Sequence, residues 1–430
     1  MAKTIEPVTI RGRYLWRGGE RFLIKGVVYQ DHRRPRVREL RPDPIADDRL
    51  EDVRRDVALF KELGLNTIFL FWVDNSKSHD AVMKLLADAG IYVLVGLSNL
   101  KHVIQRSNPY DSYNATLLED YFKTVDCMAA YNNTLGVLVG NEVINSAATT
   151  SSASVLRALT RDVKRYMALA ADASGQRCLP VGYSSADVPS LLKPCFDFFT
   201  AGGPDERLDF FAFNNYSWAG KASMQISGYD RQVKQFSDAH VPVFFSEYGA
   251  NVASPRIFEE TTAIYSREMT HVFSGGIVYE FWYGANEYGL VKQETDEEGQ
   301  SVVVKLDDFK NLKDRLNGCK EKPNTDPKWA DPAFTSSVER DFPDVSAFWK
   351  ERPRLPESPV DWEEVRDRVE MREWVDLRKE LDEEAVDDLA DIVEAQLRLS
   401  RKAGDPREPR KQDLNEDVEA KLEVFHETWA

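Results

Sequence analysis

The chain has 430 residues, of which 42% are hydrophobic and 11% aromatic, enough for one large core plus an appendage. Its net charge of −16 argues against a nucleic-acid partner, because phosphate recognition needs clustered Lys and Arg. The charge is uneven: residues 351–430 hold 14 Lys+Arg against 25 Asp+Glu, which is −11 of the total.

No apolar run approaches the roughly 18 residues of a membrane-spanning helix, so no membrane insertion is expected. The first residues, Met1-Ala-Lys-Thr-Ile-Glu-Pro7, contain no apolar leader, and the last, Phe425-His-Glu-Thr-Trp-Ala430, are too polar for a lipid-anchor signal. The cysteines Cys127, Cys178, Cys195 and Cys319 are irregularly spaced and read as buried free thiols. The histidines form no metal motif either, and no metal or other cofactor is expected.

In chain order, the apolar run Phe22–Gln30 reads as a first strand. A helix follows over Asp48–Leu63, with Leu50, Val53, Val57, Phe60 and Leu63 on one face. Strands are then expected at Thr67–Val73, Ile91–Leu97, Leu135–Val143, Cys178–Ser184, Leu208–Tyr216, Val241–Glu247 and Gly276–Trp282. Helices are expected at Leu117–Tyr131, Ala153–Ala171, Tyr229–Ala239 and Pro255–Val272. The strands are continuously apolar, as parallel strands covered on both faces should be. Eight β–α alternations in about 320 residues predict an α/β chain with a (β/α)8 TIM barrel over residues 1–318. A doubly wound sheet is the alternative, but no Gly-rich phosphate loop follows the first strand.

Residues 319–360 are rich in Pro and charge and read as a linker or a strap over the barrel. Residues 361–430 read as an acidic helical tail, with Val375, Leu381, Leu389, Ile392, Val393 and Leu397 on one stripe until Gly404-Asp-Pro-Arg-Glu-Pro409 breaks it. That stripe suits packing on the barrel or on a protein partner better than an anionic lipid surface.

Two strings carry the chemistry: Gly140-Asn141-Glu142-Val143 and Ser246-Glu247-Tyr248-Gly249. Each sets a glutamate at the end of a buried strand, where a carboxylate is costly unless it is used or partnered. In a barrel, strand ends four and seven share one rim. Tyr29 and Gln30, Asn214-Asn215-Tyr216 and Tyr279-Glu280-Phe281-Trp282 gather there as well. Aromatic faces stack on pyranose rings, and amides and hydroxyls bond sugar OH groups. A carboxyl pair in that setting fits a retaining glycosidase mechanism. Tyr29 and Gln30 also fit a bracing role in the barrel wall.

Further strings complete a resemblance. They are Ile24-Lys-Gly-Val-Val-Tyr-Gln30, Asp43-Pro-Ile-Ala-Asp47, Pro180-Val-Gly-Tyr-Ser-Ser185, Ser227-Gly-Tyr229, Pro242-Val-Phe-Phe-Ser-Glu-Tyr-Gly249, Ser274-Gly-Gly-Ile-Val-Tyr279 and Glu287-Tyr-Gly-Leu-Val291. From about Val8 to Val291 the chain resembles the fungal β-1,3-glucanosyltransferases of glycoside hydrolase family 72. The resemblance implies cleavage of a β-1,3-glucan chain and transfer of the retained fragment to a second glucan. It implies Glu142 as general acid/base, Glu247 as nucleophile, and Asn141 on the sugar 2-OH. Tyr216 would touch the nucleophile, and Tyr279, Gln30 and Asp187 would line the donor site. Glu142 would need a raised pKa, supplied by the charge on Glu247.

The chain departs from that family pattern in three places. Phe69 and Phe71 stand where the family has an arginine and a tyrosine; Phe71 keeps a ring against substrate but lacks the hydroxyl. The arginine helps keep the nucleophile ionised, so its loss should raise the Glu247 pKa or loosen its geometry. Leu192, with Lys193 beside it, replaces a sugar-contacting arginine. Family half-cystine positions fall at Val53 and Val82, at Ala219 and Ala250, and at Ala201. With no leader visible, their loss suggests a cytoplasmic protein. Phe69, Phe71 and Leu192 also leave room for a non-catalytic glucan- or protein-binding descendant, or for an endo-β-glucanase with little transfer.

Overall fold

The computed structural model describes residues 5–30, 43–99, 101–296 and 298–380. Eight parallel strands close into a barrel: β1 Ile24–Val28, β2 Thr67–Leu70, β3 Tyr92–Gly96, β4 Thr134–Asn141, β5 Val181–Ala186, β6 Phe210–Asn215, β7 Val243–Tyr248 and β8 Phe273–Val278. Pairing runs in sequence order, and β8 closes on β1 through Gly275–Val278 against Ile24–Val27. The major helices between and after the strands are α1 Leu50–Leu63, α2 Asp80–Asp88, α3 Ala115–Ala129, α4 Ser152–Ser174, α5 Leu192–Thr200, α6 Tyr229–Gln235, α7 Glu259–Ile264 and α8 Asp307–Gly318. This is the expected (β/α)8 barrel.

Alternation along each strand divides the apolar residues into two cores. Ile24, Val28, Phe69, Tyr92, Leu94, Leu135, Leu138, Phe210, Ala212, Phe244 and Ile277 fill the barrel interior. Their sequence neighbours Val27, Ile68, Leu70, Val93, Val137, Phe211, Val243 and Val278 face the helices. Gly182 has no side chain because the Phe210 ring lies where a Cβ would be. Three short antiparallel strands, Val8–Arg11, Tyr14–Arg17 and Glu20–Arg21, precede the barrel. Their Val8 and Leu15, with Phe22, join the interior core and close its N-terminal end.

Several boundaries differ from the sequence reading. The eighth strand begins at Phe273 and ends at Val278, so Tyr279 and Glu280 lie in the loop beyond it. The fifth begins at Val181, leaving Cys178 outside it and exposed, where a buried thiol was expected. Pro255–Val272 holds two short helices, α7 and Arg267–Thr270, rather than one. A hairpin of Val291–Thr295 and Ser301–Lys305 lies outside the β–α repeat.

One compact unit runs from Met1 to Val369, so residues 319–360 belong with the barrel rather than separating two bodies. Trp349 is fully buried against Phe198 of α5, and Phe342 packs on the same ring. The helix Trp362–Glu380 starts in this unit, with Val365 and Val369 buried and Trp362 against Phe122 of α3. Glu370–Ala430 form a second unit, and the apolar stripe from Leu381 onward lies outside the described residues. Among the described residues no helix is long and apolar enough to cross a membrane.

Candidate active site

On β5, β6 and β7 the inward face becomes polar toward the C-terminal end of the strand. Ser184 on β5, Asn214 on β6 and Ser246 on β7 are the inward residues of that top layer, and all three are buried. Both serine hydroxyls reach the Asn214 Oδ1, at 3.1 and 2.9 Å, and lie 2.7 Å from each other. With its oxygen so engaged, the Asn214 amide must turn its Nδ2 toward the cleft. That nitrogen donates to Glu142 Oε1 at 2.9 Å and to Asn141 Oδ1 at 3.2 Å. In the β6–β7 pairing Asn214 lies opposite Glu247. One amide therefore stands beside both glutamates.

Glu142 follows β4 with φ +50°, a left-handed conformation that is uncommon without glycine. Its N–H donates to Ser184 O at 2.8 Å, and two residues on Ile144 N–H donates to the Tyr183 hydroxyl at 3.0 Å. Both strand-5 contacts hold the turn that aims the carboxyl inward. Strain of this kind costs about 1–3 kcal/mol and concentrates at functional sites.

Glu247 is 7% exposed, at a register shift in the β7 pairing. The Tyr216 hydroxyl donates to its Oε2 at 2.6 Å. Burial pushes the Glu247 carboxyl up to about 8, the charges of Glu142 and Glu280 push the same way, and the bonds from Tyr216 and Asn214 oppose them. This is the direction expected where phenylalanine replaces the family arginine. Tyr216, pushed far above the phenolic range by burial and by Glu247, is a neutral donor.

An aromatic wall borders the pair. Tyr216 meets Tyr279 at 6.5 Å and Tyr288 at 5.8 Å between centroids, and Tyr279 meets Tyr288 at 5.2 Å and Phe71 at 6.5 Å. Asn286 Nδ2 donates to the Tyr279 hydroxyl at 3.1 Å and to Glu280 Oε1 at 2.7 Å. Buried Arg256 ties the wall down through the carbonyls of Gly249, Tyr279 and Tyr288. A cavity of about 230 Å³ opens beside Asn141, lined by Phe69, Phe71, Trp72, Ser98 and Asn99.

Other expected site residues fare differently. Asp187 is held by Asn215 Nδ2 at 2.5 Å and Gln232 Nε2 at 3.3 Å, and burial raises its pKa. Gln30 is buried, and among the described residues its Nε2 makes no hydrogen bond. Tyr29 is a correction. It is 1% exposed, donates to Asp56 Oδ2 of α1 at 2.7 Å, and packs on Phe60 and Phe281, so it braces the barrel wall. Leu192 is buried in the outer core, and Lys193 pairs with Asp197 and Asp238, so neither supplies the missing cation. Among the described residues no cluster of metal ligands occurs.

Sequence reasoning named Asn214 and Asn215 only as strand-end residues and found no role for Glu280. The parity of β6, with Phe210 and Ala212 inward, was the available signal for Asn214. Nothing local marked Tyr288 or Asn286, which arrive from a loop after β8.

The profile of a family described as glucanosyltransferase matches residues 1–320. The chain is 44% identical over 309 residues to the 1,3-beta-glucanosyltransferase gel1 of Aspergillus fumigatus, covering 72% of this chain and 65% of that protein. It is 41% identical over 344 residues to the 1,3-beta-glucanosyltransferase GAS5 of Saccharomyces cerevisiae, covering 79% of this chain and 67% of that one. Among solved structures, Saccharomyces cerevisiae Gas2p in complex with laminaripentaose superposes with a TM-score of 0.74 at 33% identity, over 84% of this chain and 79% of that one. The chain thus spans about two thirds of the length of these curated relatives. The cytoplasmic expectation is overturned by these relatives, which are 1,3-beta-glucanosyltransferases of fungi.

Proposed function

We propose that this chain, which belongs to the glucanosyltransferase family, cleaves β-1,3-glucan and transfers the retained fragment to another glucan chain by double displacement. The observation that supports this reading is that Glu142 accepts from the Asn214 amide while Glu247 lies opposite Asn214 on the neighbouring strand of a closed barrel. Retention needs carboxyl groups about 5–5.5 Å apart. Glu247 attacks the anomeric carbon while Glu142 gives its proton to the departing glycosidic oxygen. Once the glycosyl bond neutralises Glu247, Glu142 serves as base for the incoming hydroxyl. Asn141, beside Glu142, bonds the sugar 2-OH. Phe71, Tyr216 and Tyr279 offer stacking faces, and Gln30 and Asp187 polar groups.

The nucleophile must be ionised to attack, and the raised pKa falls on that residue. Ionisation of Glu247, raised to about 8, therefore sets the acid limb of the activity profile, and activity falls again once Glu142 loses the proton it must donate. Incubation with reduced laminari-oligosaccharides, followed by separation by length, tests the reading. Products longer than the substrate are expected, and Glu142→Gln or Glu247→Gln should each remove them. Only shorter products would make the chain a hydrolase, and an unchanged profile would make it a binding descendant of the fold.

A further inference from the structure

A second set of nucleophilic and titratable side chains lies away from the cleft. Asp43 precedes α1, His79 precedes α2, and Cys127 sits in the last turn of α3. His79 is 0% and Asp43 1% exposed, while Cys127 is half-buried. His79 Nε2 lies 2.8 Å from Asp43 Oδ2, and its Nδ1 lies 3.4 Å from Cys127 Sγ. Asp43 is fixed in turn by the N–H groups of Ile45, at 2.9 Å, and Asp74, at 2.7 Å. The order is a buried carboxylate, a buried imidazole bonded on both nitrogens, and a half-buried thiol. That is the arrangement of an activated nucleophile with its base and its orienting group.

We propose that Cys127 is a covalent modification site for soft carbon electrophiles of the α,β-unsaturated carbonyl class, its thiolate held by the His79–Asp43 pair. With both imidazole nitrogens protonated, Nδ1–H donates to the sulfur and Nε2–H to Asp43. Burial lowers the His79 pKa, but its partners Asp43 and Cys127 outweigh that and set it at about 10, so the ring is charged near neutrality. The opposing groups are Asp47 and Asp80 nearby and the negative C-terminal end of α3. In the reaction the thiolate forms an S–C bond to the β-carbon. The alkene pair shifts to the α-carbon, which takes a proton from water; nothing is oxidised.

The test uses the full-length protein, N-ethylmaleimide, and mass spectrometry of the Cys127 and Cys178 peptides. Cys178 is exposed and serves as the internal control. At pH 6.5 Cys127 should react at least about tenfold faster than Cys178. His79→Gln should bring the Cys127 rate down to or below the control. Equal rates for the two cysteines, or a fast Cys127 in His79→Gln, would each overturn the proposal. Should His79→Gln fail to fold, the ratio of the two rates in the unmodified chain decides alone.

Discussion

Asn214 has one task at each end of its amide. Its oxygen is fixed by Ser184 and Ser246, its nitrogen donates to Glu142, and Glu247 lies opposite it on β7. Asn214→Ala should leave the barrel folded but lower kcat by about 10²-fold or more, because a small misplacement of reacting groups costs that much; kcat against KM on laminari-oligosaccharides checks it. Phe69 bears on the pH profile. Phe69→Arg would set a guanidinium near Glu247 and lower its pKa by about 1–3 units. The acid limb of kcat/KM, expected near pH 8, should move down accordingly. An unmoved limb would show that Glu247 does not set it. The two glutamates were legible in the sequence because a charge at the end of an apolar run has few reasons to be there. Asn214 was not, since an amide among strand-end amides looks ordinary until its neighbours are known. Tyr29 misled for the converse reason: a tyrosine at a strand end can face the cleft or the helices, and here Asp56 of α1 draws it outward.

The segment after α8 is the element whose role the sequence left most open. Pro and charge suggest a linker, yet Trp349 is fully buried on Phe198. Lys350 N–H donates to Thr150 Oγ1 at 3.2 Å, Ser154 Oγ to Arg352 O at 2.9 Å, and Arg161 to Pro356 O at 3.0 Å. Those contacts fall on α4 and the turn leading into it, just after Glu142. Trp349→Ala should destabilise the fold by about 3–5 kcal/mol, read as a lower midpoint in chemical denaturation. A change below about 1 kcal/mol would show that the strap is not part of the folded unit. The other helices missed were α2, α5 and α8. Helix α5 carries Pro194 near its start and buries Cys195, Phe196, Phe198 and Phe199, so it has almost no polar face to set a helical period.

For the whole molecule, the closed barrel was readable because strands buried on both faces are continuously apolar and recur between helices. The N-terminal sheet and the 291–305 hairpin fall outside that repeat, and no periodicity announced them. The barrel brings Glu142 and Glu247, far apart in the chain, to one amide, and the proposed reaction needs the second of them to bond to sugar. A 2-deoxy-2-fluoro laminaribiosyl donor with a good leaving group slows hydrolysis of that bond and lets it be seen by peptide mass spectrometry. The expected result is one glycosyl adduct per chain, on the peptide containing Glu247 and absent from Glu247→Gln. An adduct on any other residue, or none while the donor is turned over, would contradict double displacement at this site.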